Sequence, residues 1–160
     1  MTNSIILIGP RQWGQDHLAY FYKNRTTSIQ YSAKISDNTK IRLRKMLIDG
    51  FRLFIYVPKN YKCKGIPFYG SGTIEFSGDV ENCRFSEVKQ RSPWNTVDGP
   101  KNYDINDDFQ YEFWFKMSNF SQCNKKIEDF ELELSTGEIK KYDIIGFTRS
   151  FRKTIPFAII

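Results

Sequence analysis

The chain reads as an α+β domain built on a strongly curved sheet or a small barrel. Three observations carry that expectation. Runs of strand length outnumber helical patterns and do not alternate with them, which argues against a parallel βαβ fold. The run Phe109-Gln110-Tyr111-Glu112-Phe113-Trp114-Phe115-Lys116-Met117 alternates as a half-buried strand does, with apolar residues at the odd positions. Aromatic residues make up 16% of a chain that is only 40% hydrophobic, so Phe and Tyr carry much of the burial. A length of 160 residues suits one domain, 1–160, with a respectable core.

The elements follow in order. Ile5-Ile6-Leu7-Ile8 reads as a buried strand, stopped by Gly9-Pro10. Asp16 can cap a short helix from Leu18 to Tyr22, and Ser28 to Ile35 reads as extended. Asp37 or Asn38 can cap a helix running to about Ile48, ended by Asp49-Gly50. Its apolar side is Leu43, Met46 and Leu47, while Ile41 and Ile48 fall opposite. Phe51 to Val57 is apolar on both faces and predicts a central strand. Pro58 to Lys64 is a loop. Phe68 to Phe76 predicts a strand interrupted by Gly70 and Gly72, where a bulge or a close approach of another chain is expected. Phe85 to Val88 predicts a short strand and Val97 to Asp108 a polar loop. Ile127 to Leu134 and Ile139 to Tyr142 form a hairpin around Ser135-Thr136-Gly137-Glu138, with Glu131 and Glu133 facing Lys140 or Lys141 across it. Ile144 to Ile160 is basic and aromatic, with no clear pattern.

Composition narrows the partners. Lys and Arg number 24 against 18 Asp and Glu, a net charge of +6, and the pI is near 9.2. Basic residues cluster at Lys40, Arg42, Arg44 and Lys45, at Lys89 and Arg91, and at Arg149, Arg152 and Lys153. Each cluster alone suits a solvated face; together they point to a polyanion, of which nucleic acid is the commonest. No stretch has the apolar length that spans a bilayer, and the start Met1-Thr2-Asn3-Ser4 lacks the pattern of a signal peptide. Cys63, Cys83 and Cys123 form no C-x-x-C pair, which fits a reducing cytoplasm and argues against structural zinc. His17, the one histidine, leaves few options for acid–base or metal chemistry. No cofactor, metal ligand set or catalytic residue is expected.

One motif invites a nucleotide reading and fails it. In IILIGPRQWGQD a buried strand leads to Gly9, four residues and then Gly14, the spacing of a phosphate-binding loop. Gln15 and Asp16 stand where that loop needs a lysine and a hydroxyl. Gln15 adds no charge, Asp16 repels phosphate and Pro10 removes a backbone donor.

The tryptophans are more informative. Trp94 lies in the turn-rich segment Gln90-Arg91-Ser92-Pro93-Trp94-Asn95. Trp114 shares the even, polar face of its strand with Gln110, Glu112 and Lys116. Large rings beside charges in a basic chain suit a surface that stacks flat ligands next to phosphates. The alternative is that a second layer covers both sheet faces, or that Trp94 plugs the core from its loop.

The order of these pieces resembles the PUA superfamily, in its EVE and YTH branches. IILIGPRQW is similar to the EVE opening, where a first strand leads to a proline and then a tryptophan. FRLFIYV followed by a loop and GSGTIEF looks like the family's central strand pair. SIQYSAKIS and SPWNTVDGPKNYDINDDFQYEFWFKMSNF resemble YTH segments, the second holding a loop tryptophan and a strand with an aromatic-aromatic-x-lysine ending. The resemblance covers about Ile5 to Asn119 and rests on the ordered combination. It implies a small curved β-barrel of about six strands with flanking helices. It also implies a pocket that holds a flipped, methylated base between aromatic walls. Trp94 matches the loop tryptophan of the YTH cage, and Trp13 matches the early tryptophan of EVE sequences. The other YTH cage tryptophan is missing: Ala33 or Lys34 stands near it, and Tyr31 or Tyr69 is the available substitute.

The resemblance therefore implies a nucleic-acid-binding targeting domain, with DNA preferred over RNA. Related domains target McrB-type modification-dependent restriction motors, so a motor and nuclease outside these residues are the expected company. Base-binding candidates are Trp94, Trp13, Tyr31, Tyr69 and Trp114. Phosphate-binding candidates are Arg91, Lys89, Arg42, Arg44, Lys45, Arg149, Arg152 and Lys153. The competing readings are an RNA-binding PUA-like module, a protein-interaction domain with an aromatic face, and a small enzyme on the same barrel.

Overall fold

A computed structural model describes residues 2–8, 27–30, 35–57, 62–63, 68–69, 72–90, 93–94, 111–151 and 155–159, with backbone alone at 27–30, 62–63, 68–69 and 111. It is an α+β arrangement organised by one mixed sheet. The strands are β1 (Ser4–Ile8), β2 (Thr27–Gln30), β3 (Phe51–Val57), β4 (Lys62–Cys63), β5 (Phe68–Tyr69), β6 (Thr73–Gln90), β7 (Tyr111–Lys125), β8 (Glu131–Glu133), β9 (Ile139–Lys140) and β10 (Phe157–Ile159). The helices are α1 (Asp37–Asp49) and α2 (Ile144–Ser150), with a 3₁₀ turn at Ile127–Asp129. Eight strands join in the order β2-β7-β6-β3-β1-β10-β8-β9, and β4 pairs with β5 separately. Among the described residues only β1 and β3 are parallel neighbours. Among the described residues the sheet is open, with β2 and β9 as its edges.

β3 lies inside the sheet because it has no polar face to spare. Leu53, Ile55 and Val57 join Ile5, Leu7, Phe113, Phe115 and Met117 in one cluster, closed by Leu43 of α1. Phe54 and Tyr56 join Ile6, Leu132 and Ala158 on the other face, closed by Ile127, Phe130 and Phe147. The two faces are thus covered by different helical elements, α1 and then α2 with the 3₁₀ turn. Aromatic pairs do much of the filling: Phe54 meets Phe130 edge-on at 5.0 Å, and Phe76 stacks on Phe120 at 5.4 Å.

α1 begins one residue earlier than its Asp and Asn suggest. The cap is Ser36, whose Oγ accepts from the Thr39 N–H at 3.2 Å. It ends at Gly50, whose φ of 78° frees its N–H to donate to Leu47 O at 3.2 Å. Leu43 is buried, while Ile41 and Ile48 are exposed. Across the β8–β9 hairpin Leu132 pairs with Lys140 and Glu133 with Ile139. Glu133 instead forms an ion pair with Arg42 of α1, because α1 lies closer to its carboxylate than the hairpin lysines do.

β6 departs most from expectation. The stretch read as Phe68 to Phe76 breaks at Gly72, whose φ is 76°, and a continuous strand then runs from Thr73 to Gln90. Gly78 does not interrupt it. A Cβ there would meet Met117 Cε at 2.5 Å, so this glycine is where β7 crosses closely. Register shifts between β6 and β7 absorb the remaining irregularity. The C-terminal segment also orders: Phe157–Ile159 enters the sheet between β1 and β8.

Candidate functional site

The far end of the β6–β7 ribbon carries several of the candidate groups. Phe85 pairs with Phe113 and Gln90 with Tyr111, so 86–89 bulges out of the ladder. Within the bulge the Ser86 Oγ accepts from the Val88 N–H at 3.2 Å. Glu87, Val88 and Lys89 are exposed, and the half-buried Pro93 and Trp94 follow shortly after the strand ends. Trp94 thus follows the strand end at Gln90 by four residues and follows Lys89 by five.

Trp114 corrects one expectation. Its alternation is as read, since Glu112 is exposed and Phe113 and Phe115 are buried on the opposite face. Yet the ring is 0% exposed, and its Nε1 donates to Gln90 O at 3.0 Å. It is therefore a buried anchor and not a stacking face. Alternation assigns a side chain to a face but leaves open what lies on that face. Here the indole N–H fastens the last residue of β6 to β7, which sets where the chain carrying Trp94 departs. Trp94 itself is half-buried. Trp13 and Tyr31 lie outside the described residues, and Tyr69 is placed only by its backbone, paired with Lys62 in β5.

Arg42 is the second correction. Its guanidinium pairs with Glu133, donates to Thr2 Oγ1 at 3.1 Å, and sits 3.8 Å from the Phe157 ring centroid. This half-buried group ties α1 to the N-terminal and C-terminal strands, so it is committed to the fold before any phosphate arrives. Arg44 remains on the surface, with its guanidinium 4.8 Å over Phe85, which stacks in turn on Phe113 at 4.6 Å. Lys45, Lys89 and Arg149 are exposed. Arg91, Arg152 and Lys153 lie outside the described residues.

Two residues of this region escaped sequence reasoning. Arg84 pairs directly across from Trp114 and is exposed, adding a cation to the same face. Its signal was hidden because Phe85 to Val88 was read as a short strand, which left Arg84 outside it. Gln90 is the other. Its carbonyl holds the Trp114 indole, while its side-chain Nε2 is buried with no hydrogen-bond partner among the described residues. Leaving such a donor unmade costs about 1–3 kcal/mol, so it needs a reason. The only hint in the sequence was a polar residue at a strand end, four positions before a loop tryptophan.

Other cations on this face are engaged. Arg52 lies 3.5 Å from Asp79 and Lys116 3.4 Å from Glu81, both partly exposed pairs of small energetic weight. Burial pushes the Cys83 thiol up to about 11, opposed in part by nearby Arg44, so it is protonated at neutral pH. Among the described residues no group of three His, Cys, Asp or Glu side chains is placed to hold a metal ion. No helix among them is long and apolar enough to cross a membrane. Comparisons with family models, curated proteins and solved structures find no match for the chain.

Proposed function

We propose that the chain is a nucleic-acid-binding targeting domain that holds a flipped base against Trp94. The observation that carries this reading is a half-buried indole four residues beyond a strand end that Trp114 fastens, on a strand that also carries the exposed cations Arg84 and Lys89. A fixed departure point limits where the ring can go, so less ordering is left to the moment of binding. Arg44 and Lys45 on α1 are exposed cations on the sheet face opposite Arg84, and supply phosphate contacts that carry no sequence information. Stacking on an aromatic ring gives about 1–3 kcal/mol per base, which offsets the few kcal/mol needed to unstack it.

The reading extends to a PUA-like barrel, to duplex DNA ahead of RNA, and to a methylated base as the ligand. In that role the domain delivers a motor and nuclease carried elsewhere to modified DNA, and performs no chemistry itself.

The test is a titration of wild type and Trp94→Ala against matched plain duplexes, methylated duplexes and structured RNA at two salt concentrations. Wild type should bind methylated DNA best and lose affinity steeply with salt. Trp94→Ala should lose about 1–3 kcal/mol with its circular dichroism unchanged. Full affinity in a folded Trp94→Ala variant would reject the base site. Affinity indifferent to salt would reject nucleic acid and favour a polypeptide partner.

A further inference from the structure

Gln90 carries a group that the fold does not use. Its backbone is held twice, by pairing with Tyr111 and by the Trp114 indole donating to its carbonyl at 3.0 Å. Its side-chain Nε2 is shut away from water and has no hydrogen-bond partner among the described residues. The residue as a whole is half-buried. A carboxamide has two donors and an acceptor, and its terminal torsion is soft. A small rotation therefore turns the hidden N–H toward an arriving acceptor.

A carboxamide on a fixed backbone, four residues before a half-buried indole, has the composition of a base-reading site. The planar amide offers a donor beside an acceptor, the complement of a base edge that offers an acceptor beside a donor. The ring supplies affinity for any base, while the amide distinguishes one edge from another. A core amide without a partner would simply lower stability, and replacing it with an apolar side chain of similar size would relieve that cost.

We propose that Gln90 is the specificity-determining residue of the site, reading the hydrogen-bonding edge of a nucleobase stacked on Trp94. This rests on the base-binding reading of Trp94, and the two fail separately. Trp94 sets how tightly a base is held. Gln90 sets which base is held.

The probe is a panel of short DNA strands, and the same panel in RNA, each with one variable position in a fixed background. That position carries each of the four standard bases, N6-methyladenine, or cytosine methylated at C5 or N4. Dissociation constants are measured by fluorescence anisotropy for wild type, Gln90→Leu, Gln90→Glu and Trp94→Ala. Wild type should prefer one base over the rest. Gln90→Leu should fold at least as stably and reduce that preference by about ten-fold or more, leaving the weakly bound bases unchanged. Gln90→Glu, which replaces the donor by an acceptor, should reorder the preference. Trp94→Ala should weaken binding to every strand.

Unchanged preference in both folded Gln90 variants, with Trp94→Ala still weak, overturns the role of Gln90 and leaves the stacking site standing. A wild type without preference also overturns it. Undiminished binding by Trp94→Ala sinks the stacking site instead.

Discussion

Replacing Trp114 with alanine removes the largest fully buried side chain among the described residues. Burying a tryptophan withdraws roughly 150–250 Å² from water. At about 25 cal/mol per Å² that is about 4–6 kcal/mol. This is an upper estimate, because the unfolded chain already hides part of that surface. Aromatic truncations in cores cost about 3–5 kcal/mol, and the fully covered ring places Trp114→Ala in that range. The lost bond to Gln90 O contributes to it, since the carbonyl is left without its donor. Trp114→Phe keeps a ring and loses the N–H, so it should cost less, about 1–3 kcal/mol. Urea unfolding followed by circular dichroism measures all three proteins, with Phe113→Ala as the reference on the opposite face. Phe113→Ala should cost about 3–5 kcal/mol as well. In a thermal scan Trp114→Ala should melt roughly 10 °C lower, since each kcal/mol shifts a chain of this size by about 2–4 °C. A Trp114→Ala cost below about 1 kcal/mol, with Phe113→Ala still severe, would refute the reasoning. It would mean that the ring borders open solvent and is a stacking candidate after all.

Two further outcomes separate fold from function. Arg42→Ala should destabilise by about 1–2 kcal/mol through the lost Glu133 pair and the lost contact with Phe157. It should leave the salt dependence of nucleic-acid binding as it was. Arg44→Ala should do the reverse, weakening all sequences alike and lowering the salt slope by about one; a reversal of the two behaviours in anisotropy titrations would undo the assignment. The raised Cys83 pKa sets a pH window. The unfolded thiol ionises near its ordinary value of 9.0 and the folded one at about 11, so the Cys83 contribution is constant below that window and is lost as pH climbs through it. Cys83→Ser should flatten that alkaline loss in denaturant titrations at stepped pH, and an unchanged slope would place the cause elsewhere.

Much of the fold was legible where the physics is local. A helix from Asp37 needs a short polar cap before it and a glycine after it, and both are nearby in the chain. Phe51–Val57 announces burial on both faces because, apart from Arg52, residues on either side are apolar. The turn at Ser135-Thr136-Gly137 declares the last hairpin, since Gly137 takes a φ of 86°. Bulges were harder, because β6 runs through glycine and polar residues that usually end a strand. Its length depends on β7 lying alongside and accepting register shifts.

The candidate site divides in the same way. The sequence by itself determined a basic chain, an indole in a turn and a strand whose even face carries Trp114. It also determined that no phosphate-binding loop is complete. Only the tertiary structure decided that Trp114 is covered, that Arg42 is taken by Glu133, and that Gln90 holds one indole while leaving its own amide unmatched. Each of these depends on residues far apart in the chain, as with the 91 positions between Arg42 and Glu133. Periodicity specifies the direction of a side chain relative to its own strand. Whether that direction meets solvent, a ring or a carboxylate is a property of what packs there, and packing is settled only when the distant elements meet.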